Sequence, residues 1–385
     1  MAFDVIVIGL GAVGSAAAYQ LARRGARVLG IDRFHPPHDR GSSHGHTRVT
    51  RCAVGEGAEY VPLVRRSHQI WQQLQAELDE ELMLTTGVLV IGPGLSGDAQ
   101  ADRDSFVSHT LAVAQQFGIE HQALDAQGVR ERYPQFLLRG DERACLEPGG
   151  GVLRPERCVA AQLTLARRHG AVLQMDESVL ALRAQGSGVA VRTGRAVHHA
   201  ARAVLCAGAW TPSLAANGWP QRLRVMRQTL HWLRPESAVA FAPDRFPAFI
   251  WSSGFTAAES FYGLPMVDGL AGLKVGTQQY ETEAAPDQLQ RSVTPDETLS
   301  VYQQFVRGRL QGLTADRVHA IACPYTVASG SRFMVAAHPE VPAALVASAC
   351  SGHGFKHSAA LGEALAELTL QGQSAIDLSC FAPTP

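Results

Sequence analysis

The chain has 385 residues, too many for one simple hydrophobic core, so we expect two domains. Its 34 basic and 35 acidic side chains nearly cancel, which argues against binding to nucleic acid or to an anionic membrane surface. Seven cysteines without a CxxC pair predict neither a disulfide framework nor a metal site. Because there is also no membrane-length apolar run and no signal-peptide pattern, we expect a soluble, cytoplasmic protein.

The N-terminal segment has the order of elements that binds a dinucleotide. FDVIVIG predicts a buried parallel strand, the glycines after it fit GxGxxG, and ARVLGID predicts a second strand. The glycines of this motif bring the backbone close to a pyrophosphate, and an acid after the second strand binds a ribose. The motif leaves NAD and FAD open as alternatives. The residues at these positions are Gly9, Gly11, Gly14 and Asp32.

The rest of the chain contains both helix-like and strand-like segments. Helix-like segments cover 60–80 and 100–117, with a strand-like segment at 87–92 between them. Residues 201–210 repeat the pattern of a buried strand followed by glycine, so the dinucleotide-binding domain resumes there. Between 222 and 320, short apolar segments separated by loops predict a mixed or antiparallel sheet. The chain then closes with a strand, a glycine turn and an amphipathic helix.

We therefore predict an α/β fold whose second domain is α+β. A Rossmann-like domain would bind the dinucleotide, and a substrate domain would be built on a mixed, largely antiparallel sheet. The predicted dinucleotide-binding domain is discontinuous and covers 1–83, 148–218 and 320–385. The predicted substrate domain covers 84–147 and 219–319.

A basic stretch, GSSHGHTRVTR at 41–51, follows the dinucleotide motif. From Arg40 to Gly55 the chain carries three arginines and two histidines but no acid. Such a cluster predicts an anion-binding site with positive charge that no acid cancels. A solvated basic loop, or a phosphate clamp for the dinucleotide itself, remains the alternative.

Together with GEGAEYVPLVRRS, FYGLP, GLKVG, ACPYT and SGHGFKHSAALGE, these features make the sequence similar to the monomeric sarcosine oxidase family from residue 3 to about residue 381. This family of flavoenzymes includes N-methyltryptophan oxidase and pipecolate oxidase and lies within the D-amino acid oxidase superfamily. The resemblance implies FAD as the cofactor and an amino acid, a small molecule, as the substrate together with oxygen, and we predict a monomer.

The resemblance also implies roles for individual residues. Arg51 and Lys356 match the pair that binds the substrate carboxylate, which a planar guanidinium can hold with two parallel hydrogen bonds. Arg48 matches the arginine packed against the flavin, and Lys274 matches the lysine proposed to activate oxygen. Tyr262 and Tyr325 match active-site tyrosines of the family. For Tyr262 the alternative is an aromatic side chain packed in the core.

Further positions match the cofactor site of the family. Cys323 matches the cysteine that forms a thioether to the 8-methyl carbon of the flavin, and the alternative is a small buried hydrophobe. His44 matches a histidine near the flavin, where it could tune the dimethylbenzene edge of the ring or merely cap a turn. The other residues predicted to contact FAD are Arg33, Ser42, Thr47, Val179, Ala207, Trp210, Gly352, Gly354 and Phe355.

The chain departs from the family at Gln278, where sarcosine and N-methyltryptophan oxidases carry an active-site histidine. Glutamine keeps the hydrogen bonding but cannot act as a cation or a base near neutral pH. The segment SGSRFMVAAHP also differs, with Arg332 and Ala336 in place of acids around a phenylalanine, and one residue is inserted between Tyr262 and Lys274. Sarcosine therefore cannot be assumed as the substrate.

The predicted reaction is FAD-dependent oxidation of the secondary amine of an amino acid, either N-methyl or a cyclic imino acid. Hydride would go to the flavin, and oxygen would be reduced to hydrogen peroxide. The alternatives are a flavin dehydrogenase with another electron acceptor, a biosynthetic oxidase of cyclic amines, and a flavoprotein without catalytic activity.

Overall fold

A computed structural model describes residues 3–94, 99–215, 219–252, 259–267, 269–278 and 282–383. Its α-helices are α1 (Ala12–Arg23), α2 (Val61–Leu78), α3 (Ala99–Asp104), α4 (Phe106–Gln116), α5 (Ala126–Arg132), α6 (Pro155–Arg168), α7 (Thr211–Leu214), α8 (Pro295–Val301) and α9 (Ser358–Gln371). None of these helices has the length and apolarity that a membrane span would require.

The strands of the described part are β1 (Phe3–Ile8), β2 (Val28–Ile31), β3 (Arg48–Thr50), β4 (Met83–Thr85), β5 (Val88–Gly92), β6 (Gln122–Asp125), β7 (Arg143–Glu147), β8 (Gly151–Leu153), β9 (Val172–Gln174), β10 (Val179–Gln185), β11 (Gly188–Thr193), β12 (Val197–Leu205), β13 (Leu223–Pro235), β14 (Ala248–Ser252), β15 (Ser260–Leu264), β16 (Leu273–Thr277), β17 (Leu313–Ala328), β18 (Met334–His338) and β19 (Val341–Ser348).

The first sheet carries the dinucleotide motif on parallel strands. β1 lies between β2 and β12, and β9 and β19 extend the parallel part at its two ends. The antiparallel strands β10, β11 and β18 complete this sheet. Helices α1 and α9 pack together closely, since a Cβ at Gly362 would lie 2.3 Å from the Cβ of Ala16. The loops that follow β1, β2 and β12 therefore converge at one edge, where parallel α/β sheets bind ligands.

The second sheet has the order β17-β13-β16-β15-β14-β5-β7-β6, and a small third sheet has the order β3-β8-β4. Apart from the parallel β5–β14 pair, the pairs of the second sheet are antiparallel. Aromatic rings pack against it, with Phe136 and Phe246 stacked at 4.9 Å between centroids. The predicted fold class, a Rossmann-like parallel sheet with a mixed and largely antiparallel second sheet, is confirmed.

The structure differs from the sequence prediction in one helical segment, and the predicted domain boundary falls inside a strand. The helix predicted at 60–80 is the single helix α2, but the segment predicted at 100–117 contains two helices, α3 and α4. Ser105 separates them because its backbone is extended and its hydroxyl accepts a hydrogen bond from the N–H of Ser108 as the N-cap of α4. The division into two domains stays a prediction, and its boundary at 320 falls inside β17, which pairs with β13 on both sides of that point.

Candidate active site

A cavity of about 760 Å³ is lined by residues of both large sheets, among them Ile8 of β1, Ile31 of β2, Ile250 of β14 and Tyr325 of β17. Its size lies in the range of cofactor and ligand pockets. One end is at the glycine turn after β1, which we call the nucleotide end. The other end is at the basic loop 41–51 and strands β15 to β17, which we call the substrate end.

The glycine turn at the nucleotide end needs its glycines for two different reasons. Gly9 has a φ of +85°, and a Cβ there would lie 2.5 Å from the carbonyl oxygen of Cys206. A Cβ at Gly14 would lie 1.8 Å from the carbonyl oxygen of Gly9, so this glycine allows α1 to start beside the strand. At Gly11, the nearest atom to a Cβ would be Ser43 Oγ, at 3.6 Å. Gly11 thus keeps space open in the cavity itself.

Asp32 lies at the same end, directly after β2, and is buried. Its Oδ2 accepts a hydrogen bond from the N–H of Leu10 at 2.7 Å, and its Oδ1 accepts one from the N–H of Phe34 at 2.8 Å. These bonds fix the carboxylate against the glycine turn, and each oxygen keeps a lone pair for a further donor. The position suits a ribose hydroxyl.

These features fit the FAD that the sequence predicts. Helix α1 begins beside the cavity at Ala12, no acid lies in its first turn, and its N-cap Gly11 has no side chain. The N–H of Ala12 donates to Ser43 Oγ at 3.2 Å, a neutral group. The positive end of the helix dipole therefore faces space that a pyrophosphate can fill. Because the cavity continues to the basic loop, it has room for the flavin beyond the pyrophosphate.

Arg48 fixes the shape of the basic loop. Its guanidinium donates hydrogen bonds to the carbonyl oxygens of Thr47, Ser42 and His44. On the other side of the loop, Glu156 Oε1 accepts from the N–H of Gly45 at 2.6 Å and from the N–H of His46. A carboxylate from α6 thus compensates part of the positive charge of the loop.

Arg51 and Lys356, the predicted carboxylate-binding pair, are brought together by a third residue. Glu56 Oε2 accepts from both terminal nitrogens of Arg51, at 3.1 and 2.9 Å, and Glu56 Oε1 accepts from Lys356 Nζ at 3.0 Å. All three residues line the cavity. The prediction that no acid cancels this positive charge is therefore wrong: the acid lies just beyond the basic stretch, and two cations share one carboxylate.

Burial and neighbouring charges have opposite effects on the pKa values of Glu56 and Lys356. Burial opposes the ionisation of Glu56, but Arg51 and Lys356 outweigh it and hold the pKa of the carboxyl well below its ordinary value. Burial also lowers the pKa of Lys356 to about 8, although Glu56 favours its charged form. The Nε atom of Arg51 is buried without a hydrogen-bond partner among the described residues, and the Arg51 guanidinium faces the ring of Phe106 at 5.3 Å.

Lys274 lies on β16 with its ammonium buried under the basic loop. Its Nζ donates to the carbonyl oxygens of Gly45 and Thr47, both at 2.8 Å, and lies 5.3 Å from the ring centroid of Trp232. Burial and the nearby Arg48 lower the pKa of Lys274 well below its ordinary value. The carbonyl acceptors and the ring face favour the charged form and keep the side chain in one orientation.

The tyrosines and Gln278 complete the substrate end. The hydroxyls of Tyr262 and Tyr325 lie 3.3 Å apart, and burial together with Tyr262 raises the pKa of Tyr325 well above its ordinary value. Gly276 makes room for this arrangement, since a Cβ there would lie 2.5 Å from the hydroxyl oxygen of Tyr262. Gln278 also lines the cavity. These side chains therefore offer neutral hydrogen-bonding groups.

Three predicted residues are not among the described residues that line the cavity: Gly14, His44 and Cys323. His44 belongs to the basic loop and is buried, and burial and Arg48 lower its pKa to about 3, so its ring is neutral at neutral pH. Cys323 is fully buried, and burial raises the pKa of its thiol to about 11. A second cysteine, Cys350, does line the cavity.

The other predicted site residues come together on the cavity wall. They are Gly9, Gly11, Asp32, Arg33, Ser42, Thr47, Arg48, Arg51, Val179, Ala207, Trp210, Tyr262, Lys274, Gln278, Tyr325, Gly352, Gly354, Phe355 and Lys356. In the described ranges, no three His, Cys, Asp or Glu side chains are grouped as metal ligands.

Four acids among the described residues of the cavity wall were not predicted from sequence: Glu56, Asp104, Glu177 and Asp287. Glu56 could have been found, because it lies between two glycines directly after the basic stretch. Asp287, which contacts Arg33 and Trp210, stands in a segment with no pattern that points to the cofactor.

Comparison with known proteins agrees with this geometry. Residues 4–368 match the family described as FAD dependent oxidoreductase. The monomeric sarcosine oxidase of Streptomyces avermitilis is 36% identical over 386 residues, which cover 99% of this chain and 97% of that protein. The N-methyl-L-tryptophan oxidase of Salmonella arizonae is 32% identical over 99% of this chain and 98% of its own.

The open form of NikD, an amino acid oxidase essential for nikkomycin biosynthesis, has a similar fold. It superposes with a TM-score of 0.83 over 99% of this chain and 97% of its own, at 23% identity. This likeness supports the fold, and the two curated relatives carry the assignment to a family. The chain belongs to the FAD-dependent oxidoreductases, in the group that contains monomeric sarcosine oxidase and N-methyl-L-tryptophan oxidase.

Proposed function

We propose that this protein catalyses the FAD-dependent oxidation of the secondary amine of an amino acid, an N-methyl or a cyclic imino acid. The observation that carries the proposal is the placement of Arg51 and Lys356 on the wall of the cavity that also contains the glycine turn for the dinucleotide. Sarcosine oxidase and N-methyl-L-tryptophan oxidase, both related over nearly the full chain, support this substrate class.

The substrate carboxylate would bind to Arg51 and Lys356, where it competes with the carboxylate of Glu56. Arg51 and Lys356 already bind the carboxylate of Glu56, so a substrate carboxylate either displaces Glu56 from one of them or binds to the donors that Glu56 leaves unused, such as Arg51 Nε. The geometry of one guanidinium and one ammonium at the same carboxylate sets the direction of the bound amino acid. Binding in this way brings the α-amine into the part of the cavity that contains the two tyrosines.

The neutral residues at the substrate end suit a neutral amine. When bound, FAD supplies the acceptor for the hydride that leaves the carbon next to the amine nitrogen. Tyr262, Tyr325 and Gln278 can orient that nitrogen by hydrogen bonds without taking a full charge. No protein base is required, because hydride leaves the carbon directly and water then hydrolyses the imine.

The experiment that tests this function is anaerobic reduction. The purified holoenzyme is mixed without oxygen with sarcosine, a bulkier N-methyl amino acid or a cyclic imino acid, and the flavin absorbance is followed. We expect bleaching by at least one of them and none by dimethylamine, which is sarcosine without its carboxylate. Bleaching by dimethylamine at a similar rate would rule out the carboxylate site, and no bleaching by any amino acid would overturn the function.

We also propose that oxygen is the electron acceptor and hydrogen peroxide the product. The support is Lys274, which lines the cavity with its Nζ held by two carbonyl oxygens; in its charged form, which burial and Arg48 oppose by lowering its pKa, it stabilises the negative charge that develops on oxygen. We expect Lys274→Met to slow reoxidation of the reduced enzyme by about 10²-fold and to change its reduction by substrate much less. Equal reoxidation rates would contradict the role of Lys274, and slow reoxidation of the unchanged enzyme in an oxygen-electrode assay would favour the dehydrogenase alternative.

Covalent attachment of FAD to Cys323 is a further proposal. Arg48 and Lys274 favour the thiolate, although burial raises the pKa of the thiol to about 11. Because the thiolate is the nucleophile, we expect covalent incorporation into the apoprotein to become faster as the pH rises toward that value. Acid precipitation should release flavin from Cys323→Ala and not from the control Cys350→Ala. Release from both, or from the unchanged protein, would contradict the attachment.

The monomeric state and the cytoplasmic location stay predictions. Both can be checked with the holoenzyme, the first by light scattering and the second by cell fractionation.

A further inference from the structure

A strap of residues 286–293 lies between β16 and α8 in the chain and contributes Asp287 to the wall of the cavity near its nucleotide end. It begins with a 3₁₀ turn, Pro286–Gln288, which places Asp287 on the cavity wall together with Asp32. The sequence analysis assigned no role to this segment. Asp287 thus lies in a segment that follows strand β16 of the second sheet, and its side chain lines the cavity predicted to bind the cofactor.

The strap binds the nucleotide side through Asp287. Arg33 Nη1 lies 2.8 Å from Asp287 Oδ1, and the indole N–H of Trp210 donates to the same oxygen at 3.0 Å. The Arg33 guanidinium also faces the rings of Phe34 and Trp210, at 5.4 and 5.6 Å. Arg33 directly follows Asp32, the residue whose position suits the ribose, and all the partners of this contact line the cavity with it.

A second contact holds the same edge of the strap. Arg291 donates to the carbonyl oxygens of Asp39 and Arg40, both at 2.8 Å. Asp287 and Arg291 therefore bind the two ends of the segment 33–40 that follows β2. The strap is held at two points along this edge.

The opposite edge of the strap is fixed to the second sheet. Arg227 of β13 donates to the carbonyl oxygens of Gln290 at 2.7 Å and Ser292 at 2.8 Å, and Arg317 of β17 donates to that of Val293 at 2.7 Å. Burial opposes the ionisation of Asp287, but Trp210 and Arg33 lower its pKa.

The two edges differ in exposure at Arg227, although Arg317 of the second sheet is itself exposed. The side chain of Arg227 is 11% exposed, whereas those of Arg33 and Asp287 are 42% and 55% exposed. Ion pairs between half-exposed side chains are weak and screened by salt. The Asp287 edge is therefore the one that can open while the other edge remains attached.

From this geometry we propose that the strap controls entry of FAD at the nucleotide end, and its release before any covalent bond forms, and that Asp287 holds it closed together with Arg291. The inference rests on FAD binding and does not depend on which amine is oxidised. Closing restricts uptake as well as release, so opening the strap changes both rates. A residue that only contacted the cofactor would change release alone.

The test uses full-length protein in a Cys323→Ala background, so that any covalent bond is absent from every sample. Flavin fluorescence is followed during uptake of FAD by the apoprotein and during its release on dilution. Asp287→Ala removes both contacts, and Asp287→Asn keeps an acceptor for Trp210 but loses the charge that pairs with Arg33. The matched control is Glu283→Ala, which breaks an exposed ion pair with Arg224 in the same chain segment, away from the residues that line the cavity.

We expect Asp287→Ala to speed both uptake and release of FAD by about tenfold, with Asp287→Asn intermediate and Glu283→Ala unchanged. Salt should speed release from the unchanged strap more than from Asp287→Ala. Faster release with unchanged uptake would show a plain contact and overturn the gating role. Unchanged rates, or equal changes in Glu283→Ala, would overturn the proposal. Thermal unfolding of the apoproteins shows that the variants are equally folded.

Discussion

The two ends of the cavity are built by different means. At the nucleotide end, main-chain groups close together in sequence do the work: the turn from Gly9 to Gly14, the first N–H groups of α1 and the carboxylate of Asp32 held by backbone N–H groups. At the substrate end, charged side chains far apart in sequence meet at one point, as Arg51, Glu56 and Lys356 do. A site made by the local backbone can be read from a local pattern, whereas one made by distant ion pairs cannot.

The largest expected effect comes from breaking the substrate end alone. Arg51→Met should lower kcat/KM for the amino acid substrate by about 10²–10³-fold, because a charged hydrogen-bonding partner is lost and Glu56 keeps only Lys356. Steady-state kinetics measure the loss, and the flavin absorbance per protein checks that the nucleotide end is unaffected. Loss of flavin along with activity would show that the two ends are not independent.

Breaking the nucleotide end should separate folding from cofactor binding. Gly14→Ala places a Cβ against the carbonyl oxygen of Gly9 and should lower the free energy of unfolding of the apoprotein by about 1–3 kcal/mol. Gly11→Ala meets only open cavity, so it should change that free energy by less than about 0.5 kcal/mol while weakening FAD binding. Urea unfolding and flavin titration measure the two quantities. Equal destabilisation by both substitutions would contradict the assigned roles.

A smaller effect should appear in the pH dependence of the substrate end. Lys356, whose pKa burial lowers to about 8, loses its charge as the pH rises through that value. We expect the affinity for butyrate, a carboxylate without an amine, to fall above pH 8, and to stay constant in Lys356→Arg, which remains charged. Titrations followed by flavin absorbance check this. A fall of the same size in Lys356→Arg would assign the titration to another group.

The same shift has a consequence for stability with a definite sign. The ordinary pKa of lysine is 10.5, so between pH 8 and 10.5 the unfolded chain binds a proton at Lys356 that the folded protein has lost. The contribution of this residue to the free energy of unfolding therefore rises with pH across that window. Lys356→Arg should flatten this part of the profile.

The elements with strong local patterns were predicted well from sequence. The β1–α1–β2 unit, helix α2 and the closing strand and helix all follow from apolar periodicity and glycine positions. The break at Ser105 was missed, because an N-cap serine inside a helical pattern also occurs in continuous helices. The order of the strands in the second sheet lay beyond prediction, since pairing between distant strands leaves no local signal.

For the candidate site, the family resemblance selected residues that no periodicity would have indicated. Lys274 reads as an ordinary strand lysine, and only the fold places its ammonium against the carbonyl oxygens of the basic loop. Glu56 and Asp287 were missed for the same reason. The role of an acidic side chain depends on which cation the fold places beside it, and that cation can be distant in sequence. The burial of Cys323 and His44 likewise depends on long-range packing.

The carboxylate of Glu56 has a consequence for turnover. As part of the chain it competes with any bound carboxylate at a high local concentration that dilution cannot reduce. The free energy of each bond to Arg51 or Lys356 that a bound carboxylate breaks is subtracted from the affinity of substrate and product alike. A product amino acid keeps the carboxylate of the substrate, so without such a competitor it would remain bound for longer. Glu56 can therefore shorten the residence time of the product, and the site gives up tight binding in return for rapid release.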